Sequence, residues 1–193
     1  CDLIIETVIE DIDIKRGIFD QLEDVIRPDV PIASNTSALP ISDLQQGRKH
    51  PHRFLGMHWS ENAHATRFME MTKGAQTSEE LFEQVAHLAK QFGKEPAMLR
   101  RDVPAFISNR LAKENYREAE HIVEMREAAI ETVDRSCRNA FGLWAAMCGP
   151  FRWMDITVCP AMYAKALEGV LPSLINSTEL SQTMKNMIAT DSL

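Results

Sequence analysis

Residues 34–70 read SNTSALPISDLQQGRKHPHRFLGMHWSENAHATRFME, and the alternation of apolar and polar groups here decides the fold. The stretch opens where one short apolar run ends (Val30, Pro31, Ile32, Ala33), passes a second (Phe54 to Met57) and closes inside a third (Phe68, Met69, Met71). Short β-favouring runs, each followed by polar residues, are the pattern of strands whose ends carry chemistry. If the three strands are parallel, Ser37 and His58 project from one carboxyl rim, and Glu70 follows on the next strand at a height where its carboxylate reaches an imidazole. A neutral histidine held in one tautomer by a carboxylate takes a proton from a hydroxyl near neutral pH, while a serine hydroxyl holds the oxygen. The competing reading is a satisfied strand-end histidine beside a surface glutamate.

Upstream, Leu3, Ile4 and Ile5 form another apolar run suited to a strand buried on both faces. From Glu10 to about Ile26, Ile12, Ile14, Ile18, Phe19, Leu22 and either Val25 or Ile26 recur on one face of a helix, which Arg27-Pro28 ends. Strand, helix, strand is the βαβ unit of a doubly wound sheet. Downstream, a short connector covers Ile41 to about Gln46. A second amphipathic helix runs from Thr77 to about Phe92, with Ser78 as its cap and Gly93 as its stop. Pro96 to Leu99 make a last strand. The domain boundary is placed after Arg101, giving 1–101 as an α/β domain and 102–193 as a helical one. In the second part Pro104 marks a helix start, and Phe106, Ile107, Leu111, Tyr116, Ile122 and Val123 recur at helical intervals. Its apolar stretches Phe141–Met147 and Met162–Leu174 suit either a core or a surface between two copies of the chain.

The 193 residues carry a formal charge of -7 and are 45% hydrophobic, an ordinary globular composition. That charge argues against nucleic acid as a partner, because backbone phosphates need clustered cations. Arg48, Lys49, His50, His52 and Arg53 form the one basic cluster. It suits a solvated face or a polyanionic substrate. No apolar run is long enough for a membrane span, so a soluble, cytoplasmic protein is expected. The four cysteines have no metal-ligand spacing and are expected reduced and mostly buried.

SNTSALPI, FLGMHW ending in His58, FMEM around Glu70 and DVPAFISNRL at 102–111, in that order and with DLIIETVIEDIDIK before them, resemble the 3-hydroxyacyl-CoA dehydrogenase family. The resemblance runs nearly end to end. It implies an α/β Rossmann-like, doubly wound NAD-binding domain followed by an all-α substrate and dimerisation domain. It also implies NAD as cofactor and oxidation of the 3-hydroxyl of a 3-hydroxyacyl-CoA, as in fatty acid β-oxidation. By the same resemblance His58 is the general base and Glu70 its orienting carboxylate. Ser37 holds the substrate oxygen, Asn109 completes the pocket from the start of the helical domain, and Glu10, Lys15 and Ser37 line the nicotinamide end of the cofactor site. Read as ordinary residues, Ser37 is a turn residue, Asn109 a polar helix position, Glu10 a helix-start carboxylate and Lys15 a surface lysine. Two departures stand out: Glu61 replaces the family's cofactor-site asparagine, and Ala105 replaces a glycine in what reads as helical backbone. A carboxylate at 61 either acts on His58 and the cofactor or points into solvent. No Gly-x-Gly-x-x-Gly cradle for a pyrophosphate occurs, and both ends of the family pattern are expected to be missing. Two alternatives accompany this reading: a dehydrogenase of a small free 3-hydroxy acid, and a non-catalytic structural relative of the crystallin kind.

Overall fold

The computed structural model describes residues 1–157 and 160–190. They form two compact units, the first covering 1–111 and the second the described residues from 112 to 190. The first unit is built on a five-stranded sheet in the order β1 (Ile4–Glu6), β2 (Ile32–Ser34), β3 (Phe54–His58), β4 (Phe68–Lys73), β5 (Glu95–Met98). β1, β2 and β3 are parallel, and β5 is parallel to β4. β4, however, runs antiparallel to β3, so the three strands of the 34–70 stretch are not all parallel. The connection explains it: residues 59–67 contain no helix, and a parallel return needs a crossover of about a dozen residues or more.

Side-chain alternation then sorts the sheet into two faces. Ala33, Leu55, Met57, Met69 and Met71 pack under Phe82, Val85, Ala86 and Ala89 of α3 (Glu79–Gln91). Ile32 and Phe54 point the other way. They pack with Phe19 of α1 (Ile12–Val25) and with Ile41 and Leu44 of α2 (Ile41–Leu44). Helices on both faces are the doubly wound arrangement. Gly56 lets α2 come close: a Cβ there would stand 2.5 Å from the Thr72 side chain and 3.1 Å from Ile41. The face bearing Ile32 and Phe54 also carries Glu6, Ser34, His58 and Glu70. These polar residues therefore share one side of the sheet.

The two long helices of this unit form for local reasons. Ser78 caps α3, accidic residues Glu79 and Glu80 occupy its first turn and Lys90 its last, in the sense the helix dipole favours. Gly93, at φ +77°, ends it: the Gly93 and Lys94 amides donate to the carbonyls of Lys90 and Ala89. In α1 the Asp11 carboxylate caps the first turn, accepting from the amides of Asp13 and Ile14. The helix thus begins after Glu10. Its buried positions are Lys15, Phe19 and Glu23, whereas Ile14 and Val25, expected on the apolar face, are exposed. The inward face combines apolar Phe19, with Ile12 and Leu22 packed beside it, and the paired charges of Lys15 and Glu23.

The basic cluster is neutralised by the same helix. Arg48 pairs with Asp20 at 2.8 Å, Lys49 with Asp24, and fully buried Arg53 with Glu23 at 3.6 Å.

The second unit is helical, with α4 (Ser108–Glu124) entering it, then α5 (Ile130–Ser136), α6 (Gly142–Ala145), α7 (Pro150–Thr157), α8 (Pro160–Val170) and α9 (Gln182–Thr190). None of its described residues is buried. Leu143 and Met147 of the first apolar stretch and Met162 and Leu171 of the second are exposed, so these stretches do not form a core within the unit. Cys1 is exposed and Cys137 and Cys148 are half-buried free thiols, contrary to the expectation of burial. Cys159 lies outside the described residues. Among the described residues no helix is long and apolar enough to cross a membrane.

Candidate active site

β3 ends in His58 and β4 begins two residues before Glu70, and the antiparallel register sets these two directly opposite each other. His58 Nδ1 lies 2.9 Å from Glu70 Oε2, and both side chains are nearly enclosed. The remaining positions on the carboxylate are filled from the segment that follows β5. The amides of Ile107 and Ser108 donate to Oε1 at 3.0 and 2.8 Å, and the Ser108 hydroxyl donates to Oε2 at 2.8 Å. Four hydrogen bonds exhaust a carboxylate's acceptor sites. Burial alone would raise the Glu70 pKa, but the bonds from His58, from the amide and hydroxyl of Ser108 and from the Ile107 amide outweigh it and hold the pKa below 4.5.

An ionised carboxylate accepts and never donates, so a neutral His58 keeps its hydrogen on Nδ1 and its lone pair on Nε2. No described protein group bonds to Nε2, and the atom is not sealed from solvent. The ring is held between Phe68 and Phe106, with centroids 5.6 Å away in each case.

The segment that brings Ser108 to Glu70 is strained. Ala105 and Phe106 both adopt left-handed backbone, φ +60° and +53°, a conformation costly for residues with a Cβ. Residue 105 is therefore in a turn and not in helical backbone, and α4 starts at Ser108 rather than at Pro104. Glycine, the residue that the resemblance implies at 105, takes that φ without the penalty of a Cβ. Next to Ser108, Asn109 donates from Nδ2 to the Ser37 carbonyl at 2.8 Å. Hydrogen bonds and adjacent backbone thus link Ser37, Asn109, Glu70 and His58. The Ser37 hydroxyl and Asn109 Oδ1 make no bond to the described protein and are not sealed off.

The loop that carries Ser37 is pinned by two carboxylates. Glu10 Oε1 accepts from the Thr36 hydroxyl at 2.6 Å and from the amides of Ser37 and Ala38 at 2.9 Å. Burial raises the Glu10 pKa, but the Thr36 hydroxyl, the Ala38 and Ser37 amides and the Lys15 charge together lower it. Asp102, the first residue of the helical part in sequence, accepts from the amides of Ile41 and Ser42 at the start of α2. Lys15 is not a surface residue: it is 1% exposed, bonded to both oxygens of Glu6 and to the Val8 carbonyl, and lies 3.4 Å from Glu10. Glu6 also accepts from the Ser34 hydroxyl and the Val8 amide. Lys15 therefore reaches the rim through Glu6 and Glu10.

Glu61 is exposed, and no hydrogen bond or ion pair reaches its carboxylate among the described residues. Its loop is held by Lys94, which donates to the carbonyls of Ala63 and Thr66 and sits 5.1 Å from the Trp59 ring centroid. Glu6, Lys94, Asp102 and Ser108 were not singled out in the sequence. A buried acid, a clamp lysine and a helix-start serine carry no local signature, and each is defined by a partner distant in the chain.

Comparison with known proteins supplies the context. The model of the 3-hydroxyacyl-CoA dehydrogenase NAD binding domain matches residues 1–103, and that of the C-terminal domain matches residues 106–190. The chain is 33% identical over 155 residues to the 5-formyl-3-hydroxy-2-methylpyridine 4-carboxylate 5-dehydrogenase of Mesorhizobium japonicum, covering 80% of this chain and 50% of that protein. It is 32% identical over 155 residues to the 3-hydroxyadipyl-CoA dehydrogenase of Escherichia coli K12, covering 80% and 32%. Among solved structures, a 5-formyl-3-hydroxy-2-methylpyridine 4-carboxylic acid 5-dehydrogenase, described as an NAD⁺-dependent dismutase, superimposes with a TM-score of 0.95 at 28% identity, covering 99% of this chain and 62% of that one. A 3-hydroxybutyryl-CoA dehydrogenase from Escherichia coli K12 superimposes with a TM-score of 0.77 at 27% identity, covering 99% and 40%. The chain spans half or less of the length of these curated relatives.

Proposed function

The chain belongs to the 3-hydroxyacyl-CoA dehydrogenase family, and from that premise we propose that it carries the acid–base half of an NAD-dependent alcohol oxidation. The observation that supports this is the saturated Glu70 carboxylate, which leaves His58 Nε2 as a basic, accessible lone pair. His58 Nε2 takes the proton of the substrate hydroxyl, and the Nδ1–H bond to Glu70 stabilises the imidazolium that results. Expelling a hydride from a still-protonated alcohol would build positive charge on oxygen, so the base has to act in the same step. The Ser37 hydroxyl and the Asn109 amide hold the substrate oxygen towards His58. NAD⁺, when bound, supplies the hydride acceptor. The residues at the ends of β1 and β2 fit its nicotinamide end: Ile9 is bare at the carboxyl end of β1, and the Ser37 hydroxyl and Glu10 stand beyond it.

For the substrate, a small free hydroxy acid is favoured over a coenzyme A thioester. The Arg48–Arg53 cluster, the sequence's one candidate for a polyanion, is already paired with Asp20, Glu23 and Asp24. The closer overlay on a dehydrogenase of a pyridine carboxylate points the same way. Oxidation of 3-hydroxybutyrate and of 3-hydroxybutyryl-CoA by the full-length protein, followed through NADH formation, tests both statements. Preference for the free acid supports them, preference for the thioester reverses the substrate assignment, and turnover of neither by a protein that binds NAD⁺ removes the dehydrogenase reading. The lack of any buried described residue from 112 to 190 supports a homodimer closed through the helical unit. Light scattering on the purified protein measures it, and a monomer at micromolar concentration rejects it.

A further inference from the structure

Ser108 touches the acid–base pair in a way that no family role assigned above covers. Its hydroxyl donates to Glu70 Oε2 at 2.8 Å, the same oxygen that faces His58 Nδ1 at 2.9 Å, while its amide and that of Ile107 hold Oε1. Two donors on one oxygen fix that oxygen in place and divide its negative charge. Glu70 is the one carboxylate in hydrogen-bonding contact with His58 among the described residues. The ring's other close neighbours are Phe68 and Phe106, which carry no charge. How strongly the imidazolium is stabilised thus depends on how much of Oε2 is left to it.

We propose that Ser108 is a positioning residue of the proton-transfer pair: its hydroxyl holds Glu70 Oε2 on His58 and takes a share of that oxygen's charge, so that His58 releases its proton more readily than it would beside an unshared carboxylate. The inference rests on the reading of His58 and Glu70 given above. The two left-handed residues before it, Ala105 and Phe106, make the turn that delivers the hydroxyl to this oxygen, and strain of that kind persists where the surrounding contacts require it. The side chain is removable without undoing the turn, because the amides of Ile107 and Ser108 reach Oε1 through the backbone alone.

The test is a pH profile of kcat/KM for alcohol oxidation by the full-length protein and its Ser108→Ala, Ser108→Thr, Ser108→Cys and Glu70→Gln variants. With alanine, Oε2 is left wholly to the imidazole. The plateau should fall by less than about ten-fold, and the midpoint of the acid limb should move to higher pH by up to about one unit. Threonine keeps the hydroxyl and should restore the wild-type limb. Cysteine, a weak donor of similar size, should give an intermediate one. The KM for NAD⁺ should stay unchanged throughout. If Glu70→Gln is crippled while the alanine and wild-type limbs superimpose, Ser108 has no part in proton transfer and the pair stands without it. If Glu70→Gln turns over at a near-normal rate, the pair itself is wrong and Ser108 falls with it.

Discussion

Two buried acid–base pairs stand on the same face of the sheet, Lys15 with Glu6 near the end of β1 and His58 with Glu70 across β3 and β4. Their acids are alike. Each accepts four hydrogen bonds, Glu6 from Lys15, Ser34 and Val8 and Glu70 from His58, Ser108 and Ile107. The bases differ. Lys15 spends its ammonium on Glu6 and the Val8 carbonyl with Glu10 close by, whereas His58 uses one nitrogen and leaves the other open. A closed pair holds the backbone together and an open one is able to act on a ligand. What separates structure from chemistry here is the valence left over on the base, not burial or charge.

The sharpest way to break the comparison is to remove each base. Replacing His58 by Gln should lower turnover by about 10²–10⁴-fold, the usual worth of a general base, with NAD⁺ binding nearly unchanged in a calorimetric titration. Near-normal turnover would make this pair as closed as the other. Replacing Lys15 by Met should act on stability instead, because it leaves Glu6 buried without its counter-charge. A loss of about 3–5 kcal/mol is expected, read as a lower denaturant midpoint, and Glu6→Gln in the same chain should recover part of it. Unaltered stability together with weakened NAD⁺ binding would instead place Lys15 at the cofactor.

The same contrast shows why some of this was legible in the sequence. Strands and the long helix α3 follow from periodicity and caps, and His58, Glu70, Ser37 and Asn109 are candidates because the resemblance places their motifs in order. The antiparallel direction of β4 has a weaker sequence signal, the helix-free connector of residues 59–67. The burial of Lys15 is not legible for a deeper reason: its fate depends on Glu6 nine positions before it, itself bonded to Ser34 on another strand, and amphipathic spacing contains no such information. Ala105 reads as helical in the sequence because composition says nothing about the sign of φ. The apolar stretches of the helical unit suit core or interface equally in sequence, since helical periodicity does not say what an apolar face meets.

A gentler probe of the open pair is pH. The Glu70 pKa lies below its ordinary value of 4.5 in the folded protein, so the carboxylate's contribution to stability is complete above the ordinary carboxylate range and is lost as pH falls through the folded pKa. Glu10 is lowered too and acts in the same direction. The thermal midpoint should therefore stay level from neutral pH to about pH 5 and fall below it, and Glu70→Gln should flatten that fall. An unflattened curve would assign the acid sensitivity to Glu10 or to other carboxylates.

The smallest effect concerns the turn that serves the open pair. Ala105 sits at φ +60°, where a residue with a Cβ loses about 1–2 kcal/mol, and glycine relieves this at the expense of about 0.4–1 kcal/mol of extra freedom in the unfolded chain. Ala105→Gly should thus stabilise the protein by roughly 0.5–1 kcal/mol, a rise of about 1–4 °C in Tm for a chain of this size. Its effect on catalysis decides what the strain is for. The Ala105 amide holds the turn to the Ala38 carbonyl at 3.1 Å, and the amides of Ile107 and Ser108 beyond it reach Glu70. If those bonds alone define the turn, relaxing residue 105 leaves kcat within about two-fold, because the carboxylate keeps all its donors. A loss of ten-fold or more with the higher Tm would mean that the left-handed backbone itself aims Ser108 at Oε2, making the open pair, unlike the closed one, dependent on strain held in the chain that supports it.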